Sequence, residues 1–136
     1  MATSYGDTAR ARPHRPIPVA VHALMELPLA ALAIAGPWLF GFSDDDTARV
    51  ASIVAGALIA LVAMTTRWRL SLVKLVPLRG HAYLDIGLGL ALVLAPFVLG
   101  YADETGALIL HLVLGLGLLT SAPMTNWRTE DQVEPG

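Results

Sequence analysis

Four apolar stretches, at about residues 20–41, 49–66, 82–101 and 107–123, constrain this chain more than any other feature. At ~1.5 Å of rise per helical residue, ~17–22 residues cover roughly 26–33 Å, which matches a hydrocarbon core ~30 Å thick. Each stretch is therefore predicted to be a membrane-spanning helix. A soluble bundle would show polar stripes on its outward faces, whereas Ala51–Met64, ASIVAGALIALVAM, offers only Ser52. The first stretch outruns the ~7–15-residue core of a signal peptide and reads as a retained span. Composition points the same way, with 15% charged residues against roughly a quarter in ordinary globular chains.

The placement of lysine and arginine sets the expected orientation. Arg10, Arg12 and Arg15 precede the first span, Arg67, Arg69, Lys74 and Arg79 occupy the middle connection, and Arg128 follows the last span. The two short connections, SDDD and ADET, are acidic. By the positive-inside rule both termini and the middle connection are expected in the cytoplasm, with the chain multi-pass in the cell (inner) membrane. Residues 1–17, which hold Pro13 and Pro16 without apolar periodicity, are expected to form a disordered basic tail, and 129–136 an acidic one. Between Arg67 and Gly80, bases alternate with apolar residues, so 70–80 is read as an amphipathic, partly helical linker in the headgroup layer.

Shifting the chain by 59 residues lays 22–69 over 81–128 without a gap, with 13 of 48 positions identical. The matches include His22 with His81, Pro37 with Pro96, Gly41 with Gly100, Asp44 with Asp103, and Thr66, Trp68 and Arg69 with Thr125, Trp127 and Arg128. Histidine, proline, tryptophan and arginine are not apolar filler, so the repeat is genuine. The predicted fold is an all-α integral membrane four-helix bundle of two tandem helix pairs, 18–69 and 81–128. Each pair starts on the same side, so a pseudo-twofold axis is expected along the membrane normal. Trp68, Arg69, Trp127 and Arg128 are expected to anchor the bundle at the interface.

Pro37-Trp38-Leu39-Phe40-Gly41-Phe42-Ser43, followed by the apolar Val50–Met64, resembles the SPW-repeat family of small bacterial membrane proteins, in which a helix pair carries a Ser-Pro-Trp motif near a helix end. The second repeat has Pro96, Phe97 and Gly100 at the matching positions, and Gly36 and Ala95 stand where the serine would be. The resemblance implies a small integral membrane protein and supplies no catalytic residues.

Among candidate sites, Pro37/Gly41 and Pro96/Gly100 read as helix exits, with Trp38 and Phe97 at the interface. The acidic turns, Asp44–Asp46 and Asp103–Glu104, suit the N-termini of the helices that follow and lack a calcium-loop pattern. Small residues at fours, Ala48, Ser52, Gly56 and Ala60 on the second helix and Gly87, Ala91 and Ala95 on the third, are expected to line internal seams. His111 aligns with Ser52, and a hydrogen bond to a neighbouring helix is expected for it.

His22 with Glu26, and His81 with Asp85, form the sharpest candidate. A spacing of four puts each pair on one helix face, and ionisable groups in a span are expected to face inward. Each histidine could satisfy its own carboxylate, or all four could converge in one layer able to handle protons or ions, or to bind zinc, manganese or iron; two histidines alone could ligate a haem.

Without cysteine, disulfides and thiolate chemistry are excluded. Neither HExxH nor a phosphate loop occurs, and the net charge of −2 speaks against nucleic acid. The expected function is a non-enzymatic scaffold or accessory subunit in contact with lipid, with a homo-oligomer or larger membrane complex as partner and no cofactor. The alternative is a small transporter or channel, or a metal or haem carrier, using the His22/Glu26 and His81/Asp85 layer.

Overall fold

A computed structural model describes residues 14–128. Most of the expected basic tail, 1–13, and the acidic tail, 129–136, lie outside the described residues. Four helices follow in chain order: α1 (Val19–Leu39), α2 (Asp46–Thr65), α3 (Leu78–Val98) and α4 (Thr105–Met124). All four are long and apolar enough to cross a membrane. Large apolar side chains such as Leu24, Val54, Leu90 and Val113 stay exposed on the flanks, where lipid tails would cover them at no hydrophobic penalty.

α1 packs chiefly on α2 and α3 on α4, while α1–α4 and α2–α3 contacts close the ring. α1 and α3 therefore face each other across a diagonal. The α1–α2 seam is tight because Gly56 has no side chain: a Cβ there would stand 2.6 Å from the Ala30 carbonyl oxygen. Ser52 adds a hydroxyl that donates to the Ala33 carbonyl at 2.7 Å. The α3–α4 seam repeats this 59 residues on, where a Cβ on Gly115 would lie 2.7 Å from the Gly89 carbonyl oxygen. The stripe expected on α3 is displaced from the seam: Gly87 and Ala91 are exposed, and Gly89 makes the close approach instead. Residues two apart sit about 200° round a helix, so a shift of two in the stripe moves it to the opposite face.

The helix exits are alike. Gly41 (φ 72°) and Gly100 (φ 80°) take the left-handed conformation. Phe42 N–H then donates back to the Pro37 carbonyl at 2.9 Å, and Tyr101 N–H to the Pro96 carbonyl at 3.0 Å. This is the six-to-one closure of a glycine-capped helix. Trp38 and Phe97 remain exposed beside it. At the start of α2, Asp45 accepts a 2.8 Å hydrogen bond from Ala48 N–H, whereas Glu104 at the start of α4 makes no such bond. Asp45→Ala is expected to cost about 0.5–2 kcal/mol of thermal stability and Glu104→Ala less than half of that, as measured by circular dichroism in micelles.

At the opposite, basic end, the chain closes on itself twice. Thr66 bridges Val76, and the two-residue strands β1 (Ile17–Pro18) and β2 (Thr125–Asn126) pair in parallel with Ile17 beside Thr125. The tail of each helix pair thus meets the head of the other. Within the linker read at 70–80, residues 70–77 are irregular and 78–80 form the start of α3. Three amides of the irregular part bond back to α2, Val73 donating to Met64 C=O and both Leu75 and Val76 to Thr65 C=O, the open carbonyls at the end of that helix. Pro77, in extended conformation, then starts α3 as Pro18 starts α1.

Candidate functional site

One turn into α1 and α3, His22, Glu26, His81 and Asp85 point into the bundle and are all buried. They meet as one layer, and the nearer carboxylate of each histidine is that of the other repeat. His22 Nε2 lies 2.9 Å from Asp85 Oδ2, and His81 Nε2 lies 3.1 Å from Glu26 Oε1. The same-helix distances are longer, 3.5 Å for His22–Glu26 and 3.3 Å for His81–Asp85. The spacing of four keeps each pair on one helix face, which is turned into the bundle, and the diagonal placement of α1 and α3 then interleaves them.

The back of each imidazole is fixed by a threonine. Thr66 Oγ1 is 2.7 Å from His81 Nδ1 and 2.6 Å from the Val62 carbonyl. Thr125 Oγ1 is 2.9 Å from His22 Nδ1 and 2.7 Å from the Ser121 carbonyl. A hydroxyl has one proton and a carbonyl can only accept, so each threonine donates to its carbonyl and accepts from Nδ1–H. Nδ1 therefore carries hydrogen in both rings, and Nε2 is the nitrogen aimed at the carboxylates. Where Nε2 also donates, the ring is an imidazolium; two such rings and two carboxylates make a neutral layer, as burial requires. Glu26 Oε2 is buried without a hydrogen-bond partner.

Trp127 closes the layer, its ring 5.0 Å from that of His22 and 5.1 Å from that of His81. Trp68 and Trp127 are turned onto the bundle, unlike anchors lying in the headgroups: Trp68 is 4% exposed and Trp127 half-buried. Each indole N–H donates to a carbonyl in the last turn of its own repeat, Trp68 to Ala63 at 2.6 Å and Trp127 to Ala122 at 2.8 Å. Both carbonyls lie in the last turn, where carbonyl oxygens have acceptor capacity to spare, and the bonds hold the rings back onto the helix ends. Arg69 and Arg128 remain exposed. Outside Trp127 an open cleft of about 1280 Å³ is lined by Arg15, Arg67, Arg79, Arg128 and Tyr83. Among the described residues none of these arginines pairs with a carboxylate.

His111 stands apart, in the half of the bundle toward the acidic turns. Its Nδ1 is 2.8 Å from the Tyr101 hydroxyl, and its Nε2 is buried without a partner. The expected bond thus comes from the turn after α3, one residue past Gly100. Thr66, Thr125 and Tyr101 are site residues that pattern reading does not assign. The threonines did leave a signal, the Thr-x-Trp-Arg shared by both repeats.

A family model described as the SPW repeat domain matches residues 20–125. No curated protein and no solved structure matches the chain.

Proposed function

The chain belongs to the SPW repeat family, and from that premise we propose that this small integral membrane protein is a non-enzymatic scaffold or accessory subunit of a membrane complex. It sits in the cell membrane with both termini in the cytoplasm. The observation that carries this reading is the closure of the ionisable layer between the two repeats. Each histidine is engaged on both nitrogens by groups of the bundle itself, so the most costly side chains in the membrane act as a clasp joining two helix pairs. The arginine-lined cleft at the same end suits the anionic cytoplasmic leaflet.

A channel or proton path is the less favoured reading, because the two polar layers are separated. Along α4, His111 and Thr125 lie roughly 21 Å apart by helical rise. The buried residues between the layers include Ala30, Ile59, Leu92 and Leu118, which offer nothing to a hydrated ion. Two measurements test the proposal. Extracted from its own membrane directly into lipid nanodiscs, the protein is expected in assemblies heavier than one chain with its lipid; a lone chain in every preparation overturns the reading. In liposomes, proton and monovalent-cation flux is expected to equal that of protein-free vesicles. A flux that is present, and that Glu26→Gln with Asp85→Asn abolishes, would establish the transporter instead.

A further inference from the structure

We propose that the clasp is also a binding site for one borderline divalent transition metal, zinc first among them, ligated by His22 Nε2, His81 Nε2, Glu26 Oε1 and Asp85 Oδ2. This goes beyond the scaffold reading and does not rest on it. The four ligand atoms all lie within 4.8 Å of one another. The four nitrogen–oxygen separations are 2.9, 3.1, 3.3 and 3.5 Å. A tetrahedral ion with bonds of ~2.0–2.2 Å holds its ligands roughly 3.3–3.6 Å apart. The nitrogen–oxygen edges need to open by at most a few tenths of an ångström, while the N···N and O···O edges, which lie within 4.8 Å, must settle at the same spacing by rotation of the side chains.

The surroundings are those of a prepared ligand set. Thr66 and Thr125 hold hydrogen on both Nδ1 atoms, which leaves Nε2 as the coordinating nitrogen and fixes each ring's direction, the role that outer-shell partners play around ligating histidines. Charge closes as well: a divalent ion against two carboxylates is neutral, and the two Nε2 protons leave as the ion enters. The partnerless Glu26 Oε2 gives the site a spare carboxylate oxygen, and such an orphan calls for an explanation in a buried layer.

The donor chemistry narrows the ion. Two imidazoles and two carboxylates suit zinc, ferrous iron or manganese. Calcium requires six to eight oxygens, magnesium a near-ideal octahedron, and copper(I) sulfur ligands. A haem fits poorly: the rings stand 5.6 Å apart at 71°, and the two Nε2 atoms share the same two carboxylate oxygens, where a porphyrin would have to lie. Bound by both repeats, the ion would make the join between the helix pairs metal-dependent.

The test uses the full chain in nanodiscs, freed of metal and then dialysed against zinc, with bound metal counted by elemental analysis. One zinc per chain is expected, and cobalt(II) in its place should give the intense visible bands of a tetrahedral site. Thr66→Val and Thr125→Val touch only the backs of the rings, and each should weaken zinc binding about 10- to 100-fold. Glu26→Gln with Asp85→Asn should abolish stoichiometric binding while His14 and the acidic turns are left intact. Wild-type protein without stoichiometric zinc, or with an octahedral cobalt spectrum, overturns the proposal, as does zinc retained by the double carboxylate variant. Should that variant fail to fold, the wild-type cobalt spectrum and the threonine variants still decide. The outcome is separate from assembly mass and ion flux, which test the scaffold reading without any metal.

Discussion

Asp85→Ala is expected to destabilise the bundle by about 3–5 kcal/mol, the cost of stripping one partner from a buried charge pair. Asp85 Oδ2 is within 2.9 Å of His22 and 3.3 Å of His81, so its loss leaves Glu26 alone to face both imidazoles. Unfolding in mixed micelles of rising SDS content, followed by circular dichroism, gives the number. The decisive contrast is the variant with leucine at all four positions, His22, Glu26, His81 and Asp85. Exchanging a whole buried ionic cluster for apolar side chains is often neutral or stabilising by about 1–4 kcal/mol, and that variant should fold at least as well as wild type while losing the metal site. A loss below about 1 kcal/mol for Asp85→Ala, the range of exposed ion pairs, would show that water reaches the layer and that the clasp is not closed.

The second large effect concerns the seams. At Gly56 a methyl group would meet the Ala30 carbonyl oxygen at 2.6 Å and the Ala33 methyl at 3.0 Å. Backbone cannot swing aside as a side chain can, so Gly56→Ala must push α1 from α2, at a cost of about 1–3 kcal/mol. Gly115→Ala should behave alike against the Gly89 carbonyl. Gly87→Ala is the control, since a Cβ there meets nothing within 4 Å, and the gain in helix propensity should leave stability unchanged or raised by up to about 1 kcal/mol. Equal losses at Gly56 and Gly87 would mean that the seam does not run where the close contacts place it.

The same two regions divide what could be read in the sequence from what could not. Spans, pairing and repeat were legible because they rest on local quantities: an apolar run has a length, and a 59-residue shift brings like residues together. The inward aim of His22, Glu26, His81 and Asp85 was also legible, since a spacing of four puts each pair on one helix face and the cost of ionisable groups in lipid turns that face into the bundle. Whether each pair would satisfy itself or cross over was not, because that depends on how α1 and α3 are set across the bundle. The seam residue of α3 was missed for a related reason. Gly87, Ala91 and Ala95 keep the spacing of four as well as any stripe, and Gly89, two residues on from Gly87, is singled out only by the facing backbone of Gly115.

By itself the sequence determined that this chain is a membrane bundle of two like helix pairs with an ionisable layer near its basic end. Apolar length and internal repetition require no knowledge of neighbours. Only the tertiary structure decided that His22 bonds Asp85 and His81 bonds Glu26, that Thr66 and Thr125 fix the outer nitrogens, and that Trp127 covers both rings. These contacts join residues up to 103 positions apart. A hydrogen bond is a matter of a few tenths of an ångström, and that distance is set by packing.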